Sequence, residues 1–370
     1  MRVLHLTDHY LPVLGGIETH VSDLAGRQAA RGDDVTVLTW TPARVEGRVS
    51  ADAGPVRVHR VRSLLEGARL DVSAFDVVHV HVSVVAPFSA PLAALAARRG
   101  APTVVTVHSM WNGLGPVPAV AAALSGLRSA PVVWTAVSTV AAARLQARLP
   151  GDVRVRVLPN AVAVAPRERT PVAGDGSVHL VSTMRVARRK RPLPLLAMVE
   201  RLARDVEVPL RLTVVGDGPL RSRLERRAEA AGLEDVVVVT GRVERPEVRA
   251  RLATADVYVA PAVLESFGLA ALEARCVGLP VVGHAASGLV DFVEHGVDGL
   301  LAETDAELVR RLVDLVRDPA MRHRIAEHNR RVPTGLSWPA ALERHDATYV
   351  SACRLAGRRR GRSLLVAADR

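Results

Sequence analysis

Val178-His179-Leu180-Val181-Ser182-Thr183 follows a Pro- and Gly-rich stretch, from Pro159-Asn160-Ala161-Val162 to Pro171-Val172-Ala173-Gly174-Asp175-Gly176, and marks where an alternation of strands and helices stops and starts again. Upstream, β-branched runs at Val3–Thr7, Val35–Thr39, Val77–Val82, Thr103–Val107, Val132–Val137 and Val153–Leu158 predict strands. Downstream, Val178–Thr183, Leu210–Val215, Val236–Val239, Val257–Val259 and Pro280–Gly283 predict a second set. Helical stretches separate them, and strands alternating with helices build parallel sheets covered on both faces, which is why the runs are nearly continuous in apolar residues. The fold class is therefore α/β: two Rossmann-like doubly wound domains whose C-terminal strand ends face a cleft. The expected boundaries are 1–163 and 172–336, with a final helix at 337–356 and a solvated tail at 357–370 carrying Arg358, Arg359, Arg360 and Arg362.

Composition agrees. A chain of 370 residues suits two domains, and 49% hydrophobic with 24% charged residues excludes disorder or coiled coil as the main architecture. Two cysteines, Cys276 and Cys353, make no disulfide scaffold, and no Cys/His spacing suits zinc. The N-terminus lacks the apolar core of a signal peptide, so a cytoplasmic enzyme is the expectation. Residues Gly100 to Leu127 carry no Asp, Glu, Lys or Arg, yet Pro102, Gly113, Gly115, Pro116 and Pro118 break the run into strand, loop and helix.

Lysine and arginine number 49 against 38 acidic residues, a net charge of +11, which makes polyanions plausible partners: nucleic acid, an anionic membrane or phosphorylated small molecules. Lys190 is the single lysine, leaving 49 − 1 = 48 arginines. It shares the loop after Val178–Thr183 with Arg185, and two cations there suit a diphosphate, Arg as a planar fork and Lys as a point charge. Arg188, Arg189 and Arg191 keep a plain solvated loop open as the alternative.

Gly15-Gly16, ahead of a helix with Val21, Leu24 and Ala25 at helical spacing, allows close backbone approach to an anion at the helix N-terminus; an ordinary tight turn is the alternative, since G-x-G-x-x-G is absent. Gly216 and Gly218, in Val215-Gly216-Asp217-Gly218-Pro219, form a tight turn read as lining a nucleotide pocket. The sharpest motif is Glu265-Ser266-Phe267-Gly268-Leu269-Ala270-Ala271-Leu272-Glu273: Glu265 in a loop, amides near Phe267, Gly268 and Leu269 at a helix N-terminus, and Glu273 two turns on, where carboxylates suit sugar hydroxyls. His108 ends a strand. His79 and His81 form an H-x-H pair for which no third ligand is expected, so no metal is expected. Asp-x-Asp is absent, which argues against a diphosphate held through a divalent cation.

Together these residues resemble the retaining glycosyltransferases of the two-Rossmann-domain (GT-B) type, family 4 (group 1), a family that includes phosphatidylinositol mannosyltransferases and related N-acetylglucosaminyltransferases. The resemblance covers residues 1 to 355, and its most specific part is the E-x7-E from Glu265 to Glu273 with Gly278-Leu279-Pro280-Val281-Val282 after it. It implies that Gly16 offers its amide to a donor phosphate, that Arg185 and Lys190 bind the diphosphate, and that Glu265 holds the donor sugar. Glu273 would hold the ribose and His108 would contact the donor sugar. It implies no cofactor beyond a UDP- or GDP-sugar as donor substrate, and a last helix that returns to the first domain. The family's usual Gly-Arg, Lys-Gly and Glu-Ala-Met stand here as Met184-Arg185, Lys190-Arg191 and Glu273-Ala274-Arg275.

The apolar loop from Ser109 through Trp111 to Pro118, with the basic charge, suggests peripheral docking on an anionic membrane and a glycolipid or inositol-type acceptor. The rival readings are a nucleotide-sugar epimerase and a nucleic-acid-binding protein. With 3% aromatics and no reading motif, nucleic acid is not expected as a partner.

Overall fold

The computed structural model describes residues 1–13, 15–45, 48–49, 54–83, 85–110, 126–163 and 176–357. Of the loop expected at 109–118 only Ser109 and Met110 are described, and Met110 is buried in the core and not exposed as expected; residues 111–118, most of the expected linker (164–175) and the tail beyond residue 357 lie outside the described residues. The chain divides into two compact units, Met1–Ala161 with Ser337–Arg370, and Val162–Leu336.

The N-terminal unit holds a seven-stranded sheet built from β1 (Arg2–Thr7), β2 (Asp34–Thr39), β5 (Val56–Arg60), β6 (Val77–Val82), β7 (Thr103–Val107), β8 (Val133–Ala136) and β9 (Arg156–Val157). The order is β5-β2-β1-β6-β7-β8-β9, with every pairing parallel. A separate antiparallel pair, β3 (Arg44–Val45) and β4 (Arg48–Val49), stands beside it. One face of the large sheet, through Leu6, Val80, Val105 and Trp134, packs on Phe88 and on Leu92 of the helix Ser89–Arg98. The opposite face, through Val3, Val77, Val104 and Val133, buries Tyr349 and Ala352 of the last helix, Trp338–Leu355. That helix lies far along the chain from the sheet it covers, and Arg31 holds it by a bidentate pair with Asp346 at 2.8 and 2.7 Å.

The C-terminal unit holds a six-stranded sheet of β10 (Val178–Thr183), β11 (Leu210–Val215), β12 (Val237–Gly241), β13 (Val257–Ala260), β14 (Val281–His284) and β15 (Gly299–Ala302). Its order, β12-β11-β10-β13-β14-β15, is again wholly parallel. Leu195, Val199 and Leu202, at helical spacing on Pro192–Asp205, and Leu308, Leu312 and Leu315 on Asp305–Arg317 form its core with Leu180, Leu212 and Val259. In each sheet the strand order reverses once, between β1 and β6 and between β10 and β13. A reversal leaves a crevice at the carboxyl ends of the strands, where doubly wound sheets bind their ligands.

Candidate functional site

At the reversal point of the C-terminal unit, β10 and β13 end side by side. The Tyr258 hydroxyl joins them, donating to the Thr183 carbonyl at 3.2 Å and receiving the Thr183 amide at 3.4 Å. Beyond β10 the chain passes exposed Arg185 and turns through a single 3-10 turn, Arg188–Lys190. Beyond β13 it runs through Glu265 into the helix Leu269–Cys276. These two loops meet: Lys190 Nζ lies 2.5 Å from Glu265 Oε2, with the lysine side chain 39% and the glutamate 17% exposed. A cation and a carboxylate in contact at a strand-end crevice can divide a ligand between them, phosphate to one and hydroxyls to the other.

The glycines have different tasks. Gly216 (φ 137°) lies so close to the loop after β10 that a Cβ there would stand 2.0 Å from the Met184 carbonyl oxygen, and one on Gly218 would stand 2.5 Å from that of Val186. Together with Val186 N donating to Asp217 O at 2.9 Å, they let the turn after β11 lie flat against the segment carrying Arg185. Gly268 at φ 97° opens the helix Leu269–Cys276 in the left-handed region, where a Cβ is penalised. Phe267 is buried and its ring packs tilted against that of Phe292, centroids 5.5 Å apart, so its side chain belongs to the core and its backbone alone is available to a ligand. Glu273 is half-buried on that helix. Burial raises the Tyr258 phenol, and the charges of Glu265 and Glu273 both push it further up, so the two carboxylates act on one strand end.

Two departures from the family pattern are compensated at long range. Arg275, 5% exposed, donates through Nε (3.1 Å) and Nη2 (2.5 Å) to Asp298 Oδ1, while its Nη1 reaches the Val332 carbonyl at 3.1 Å. Asp298, 10% exposed, also receives the Glu294 amide at 2.8 Å. Breaking a buried pair leaves an uncompensated charge, so Asp298→Ala is expected to cost about 3–5 kcal/mol, while Arg275→Met with Asp298→Asn is expected to recover most of it. Urea unfolding midpoints of the three proteins check this, and a wild-type midpoint for Asp298→Ala would contradict it. Arg191 takes a left-handed backbone and a bidentate contact to Asp305 (2.8 and 2.5 Å).

In the N-terminal unit, Gly15 and Gly16 open the helix Gly16–Ala30 after β1, and buried Glu18, which the sequence reading did not single out, stands in its first turn. A Cβ on Gly15 would come 2.4 Å from Glu18 Oε2. Asp8, at the end of β1, receives the amides of Phe88 (2.9 Å) and Ser89 (3.2 Å) and so caps the helix Ser89–Arg98. Burial raises its carboxyl.

His108 follows β7 and is 6% exposed. It heads a chain of hydrogen bonds with one direction, because the last acceptor, the Val105 carbonyl, cannot donate. Thr135 Oγ1 donates to it (3.2 Å), Thr106 to Thr135 (2.7 Å), His79 Nε2 to Thr106 (2.7 Å) and the Tyr349 hydroxyl to His79 Nδ1 (2.9 Å). Gln28 Nε2 donates to Tyr349 (3.0 Å), His5 Nε2 to Gln28 Oε1 (2.6 Å), His81 Nε2 to His5 Nδ1 (3.0 Å) and His108 Nε2 to His81 Nδ1 (3.0 Å). His5, His79 and His81 each donate through one ring nitrogen and accept through the other, as a neutral imidazole does. Burial agrees: it lowers His5 to about 4 and His108 to about 3, and takes His79 and His81 well below the ordinary histidine value.

The expectation that the H-x-H pair lacks a third ligand is corrected. Parallel pairing of β1 with β6 sets His5 opposite His79, and among the described residues the ligand atoms of His5, His79 and His81 lie within 4.8 Å of one another. These three could hold a metal, but all their ring nitrogens are engaged in the hydrogen bonds above, which a metal would have to displace.

The sequence profile described as Glycosyltransferase Family 4 matches residues 14–166, and that of Glycosyl transferases group 1 matches residues 170–332. The chain is 29% identical over 353 residues to the D-inositol 3-phosphate glycosyltransferase of Pseudarthrobacter chlorophenolicus, covering 83% of each. It is 28% identical over 344 residues to the GDP-mannose-dependent alpha-(1-6)-phosphatidylinositol monomannoside mannosyltransferase of Mycobacterium tuberculosis, covering 86% of this chain and 88% of the relative. Anabaena HepE, solved with UDP and glucose, superposes with a TM-score of 0.74 at 17% identity, over 95% of this chain and 100% of HepE. Two parallel α/β sheets in tandem, each under a matching glycosyltransferase profile, are the GT-B arrangement, and the protein belongs to the family 4 (group 1) glycosyltransferases.

Proposed function

We propose that the protein is a retaining, metal-independent hexosyltransferase that takes a UDP- or GDP-sugar as donor and an inositol-type hydroxyl as acceptor. The observation that carries this reading is the contact of Lys190 with Glu265 at the reversal of the second sheet. In this reading Arg185, Lys190 and the amides at Gly268 and Leu269 receive the diphosphate, Glu265 holds sugar hydroxyls and Glu273 the ribose. Gly16, after β1 at the reversal point of the first sheet, and His108, after β7, are the ligand-facing groups of the first unit. Cations fixed before the reaction stabilise the departing diphosphate, and the sugar is attacked on the face it leaves from, with the leaving phosphate taking the acceptor proton. No Asp-x-Asp is present to hold a divalent cation, and the cationic loop supplies charge in its place.

The acceptor class is supported by the relatives, whose names specify inositol 3-phosphate and a phosphatidylinositol mannoside. No described helix is long and apolar enough to cross a membrane, and the net charge of +11 supports docking on the anionic cytoplasmic face as the route to a lipid acceptor. The test is a panel of UDP- and GDP-sugars assayed in EDTA against soluble inositol phosphate and against phosphatidylinositol vesicles, with products read by NMR. The expected product keeps the donor's anomeric configuration. An inverted product, or activity lost in EDTA and restored by Mg²⁺, would overturn the mechanism, and isomerised donor without transfer would overturn the activity. The matching nucleotide at 100 times its Kd should add about 2.7 kcal/mol of stability.

A further inference from the structure

Among the described residues Arg191 is the one non-glycine residue with a left-handed backbone, φ 60° and ψ 46°. L-residues are disfavoured there because Cβ crowds the following carbonyl, and Pro192 next in the chain restricts the position further. Such a conformation persists where surrounding contacts over-determine it, and here they are unusually complete. Nη1 donates to the Pro261 carbonyl at 2.9 Å, and Nη1 and Nη2 grip both oxygens of Asp305. Asp305 itself stands in the first turn of its helix, where a carboxylate is favoured, and Nη1 lies 3.3 Å from His284 Nε2. One side chain thus joins three segments, the loop after β10, the loop after β13 and the first turn of the helix after β15. Two of them carry the contacting pair: Lys190 is the preceding residue, and Pro261 begins the loop that leads to Glu265. The family's usual residue at this position, glycine, would take the same φ freely but could tie nothing together.

We propose that Arg191 is a positioning residue, a clamp on Asp305 and Pro261 that holds the turn presenting the Lys190 ammonium to Glu265 and to the donor diphosphate. This rests on the reading of Lys190 as a donor-binding group. The guanidinium is spent on Asp305 and Pro261, so it acts through Lys190 and not on the ligand.

Arg191→Gly separates the clamp from the backbone, because glycine is at ease at φ 60° and the variant is expected to fold with a Tm near wild type. Its kcat/KM for transfer is expected to fall about tenfold. Asp305→Asn, which keeps shape but loses the bidentate charge, should fall in the same direction, and Arg191→Lys should not rescue, since an ammonium cannot form the fork. The decisive readout is a cycle with Lys190→Ala: in that background Arg191→Gly and Asp305→Asn should cost nothing further, whereas a general structural role would cost the same in both. Wild-type kcat/KM in Arg191→Gly alongside an impaired Lys190→Ala would overturn the clamp alone. Losses that add across the cycle would also overturn it and would mark Arg191 as an independent contact. A Lys190→Ala protein at wild-type rate would remove the donor-site reading, and the clamp with it.

Discussion

Lowering the pH from 7.5 to 5 is expected to unfold the N-terminal unit while the C-terminal unit persists. His5, His20, His79, His81, His108 and His345 are all buried there, and desolvation lowers every one, His5 and His345 to about 4 and His108 to about 3. The unfolded chain takes up these protons near pH 6.5, the folded unit only at lower pH, near 4 for His5 and His345 and near 3 for His108, so the unfolded state binds more protons throughout that window. Stability is complete above about pH 6.5 and falls as the pH drops towards 4, by about 1 kcal/mol per pH unit for each ring. His20, His79 and His81 shift in the same direction and add to the loss, which acts against a total of only roughly 5–15 kcal/mol holding a domain folded. Protonation also breaks the network chemically, because His5, His79 and His81 each accept a hydrogen bond through Nδ1 and an imidazolium cannot accept. His179 and His284, the lowered histidines of the C-terminal unit, are fewer and less completely desolvated. All four tryptophans, Trp40, Trp111, Trp134 and Trp338, belong to the N-terminal unit, so tryptophan emission reports that unit alone while far-UV circular dichroism reports both. Equal denaturant midpoints by tryptophan emission at pH 7.5 and pH 5 would refute the prediction.

The sequence made the central strands legible and the edges obscure. Val77–Val82, Thr103–Val107, Val178–Thr183 and Leu210–Val215 coincide with observed strands because neighbours on both sides demand unbroken apolar runs. Val56–Arg60 alternates half-buried and exposed residues as the outermost strand, and its arginines disguise it. Gly299–Ala302 is too short to stand out, and of Val153–Leu158 only Arg156–Val157 pairs with the sheet. The candidate site divides the same way. Glu265-Ser266-Phe267-Gly268 is local, a loop entering a helix, and shows in the order of residues. What fixes Arg191 and Arg275 does not: their partners stand 114 and 23 residues away, at Asp305 and Asp298, and only the pairing of strands brings them near. The third imidazole beside His79 and His81 was hidden likewise, since the register of β1 on β6 leaves no trace in spacing.

Replacing Lys190 by alanine is expected to lower kcat/KM for transfer by at least tenfold, and replacing Glu265 by alanine by a similar factor, with folding intact. Lys190 is 39% exposed, and an ion pair so open to water contributes on the order of 1 kcal/mol or less to stability, so neither change threatens the fold. The effect on transfer has two parts. Without Lys190 the diphosphate loses a cation as its charge develops, and Glu265, 17% exposed, is left as an unpaired carboxylate beside the same phosphates. Without Glu265 the lysine remains, but the sugar loses its acceptor. Glu265→Gln should be milder than Glu265→Ala, because an amide carbonyl still accepts from a hydroxyl, while Lys190→Arg should stay impaired because a planar fork does not reproduce a point charge. The double alanine variant should lose less than the two single losses combined, since removing the carboxylate removes the repulsion that the lysine had masked. Steady-state kinetics with saturating acceptor and a thermal melt of each variant decide the matter. Wild-type kcat/KM in both alanine variants would show that the contact is an ordinary surface ion pair, and a Tm loss matching the activity loss would show that the pair serves the fold and not the donor.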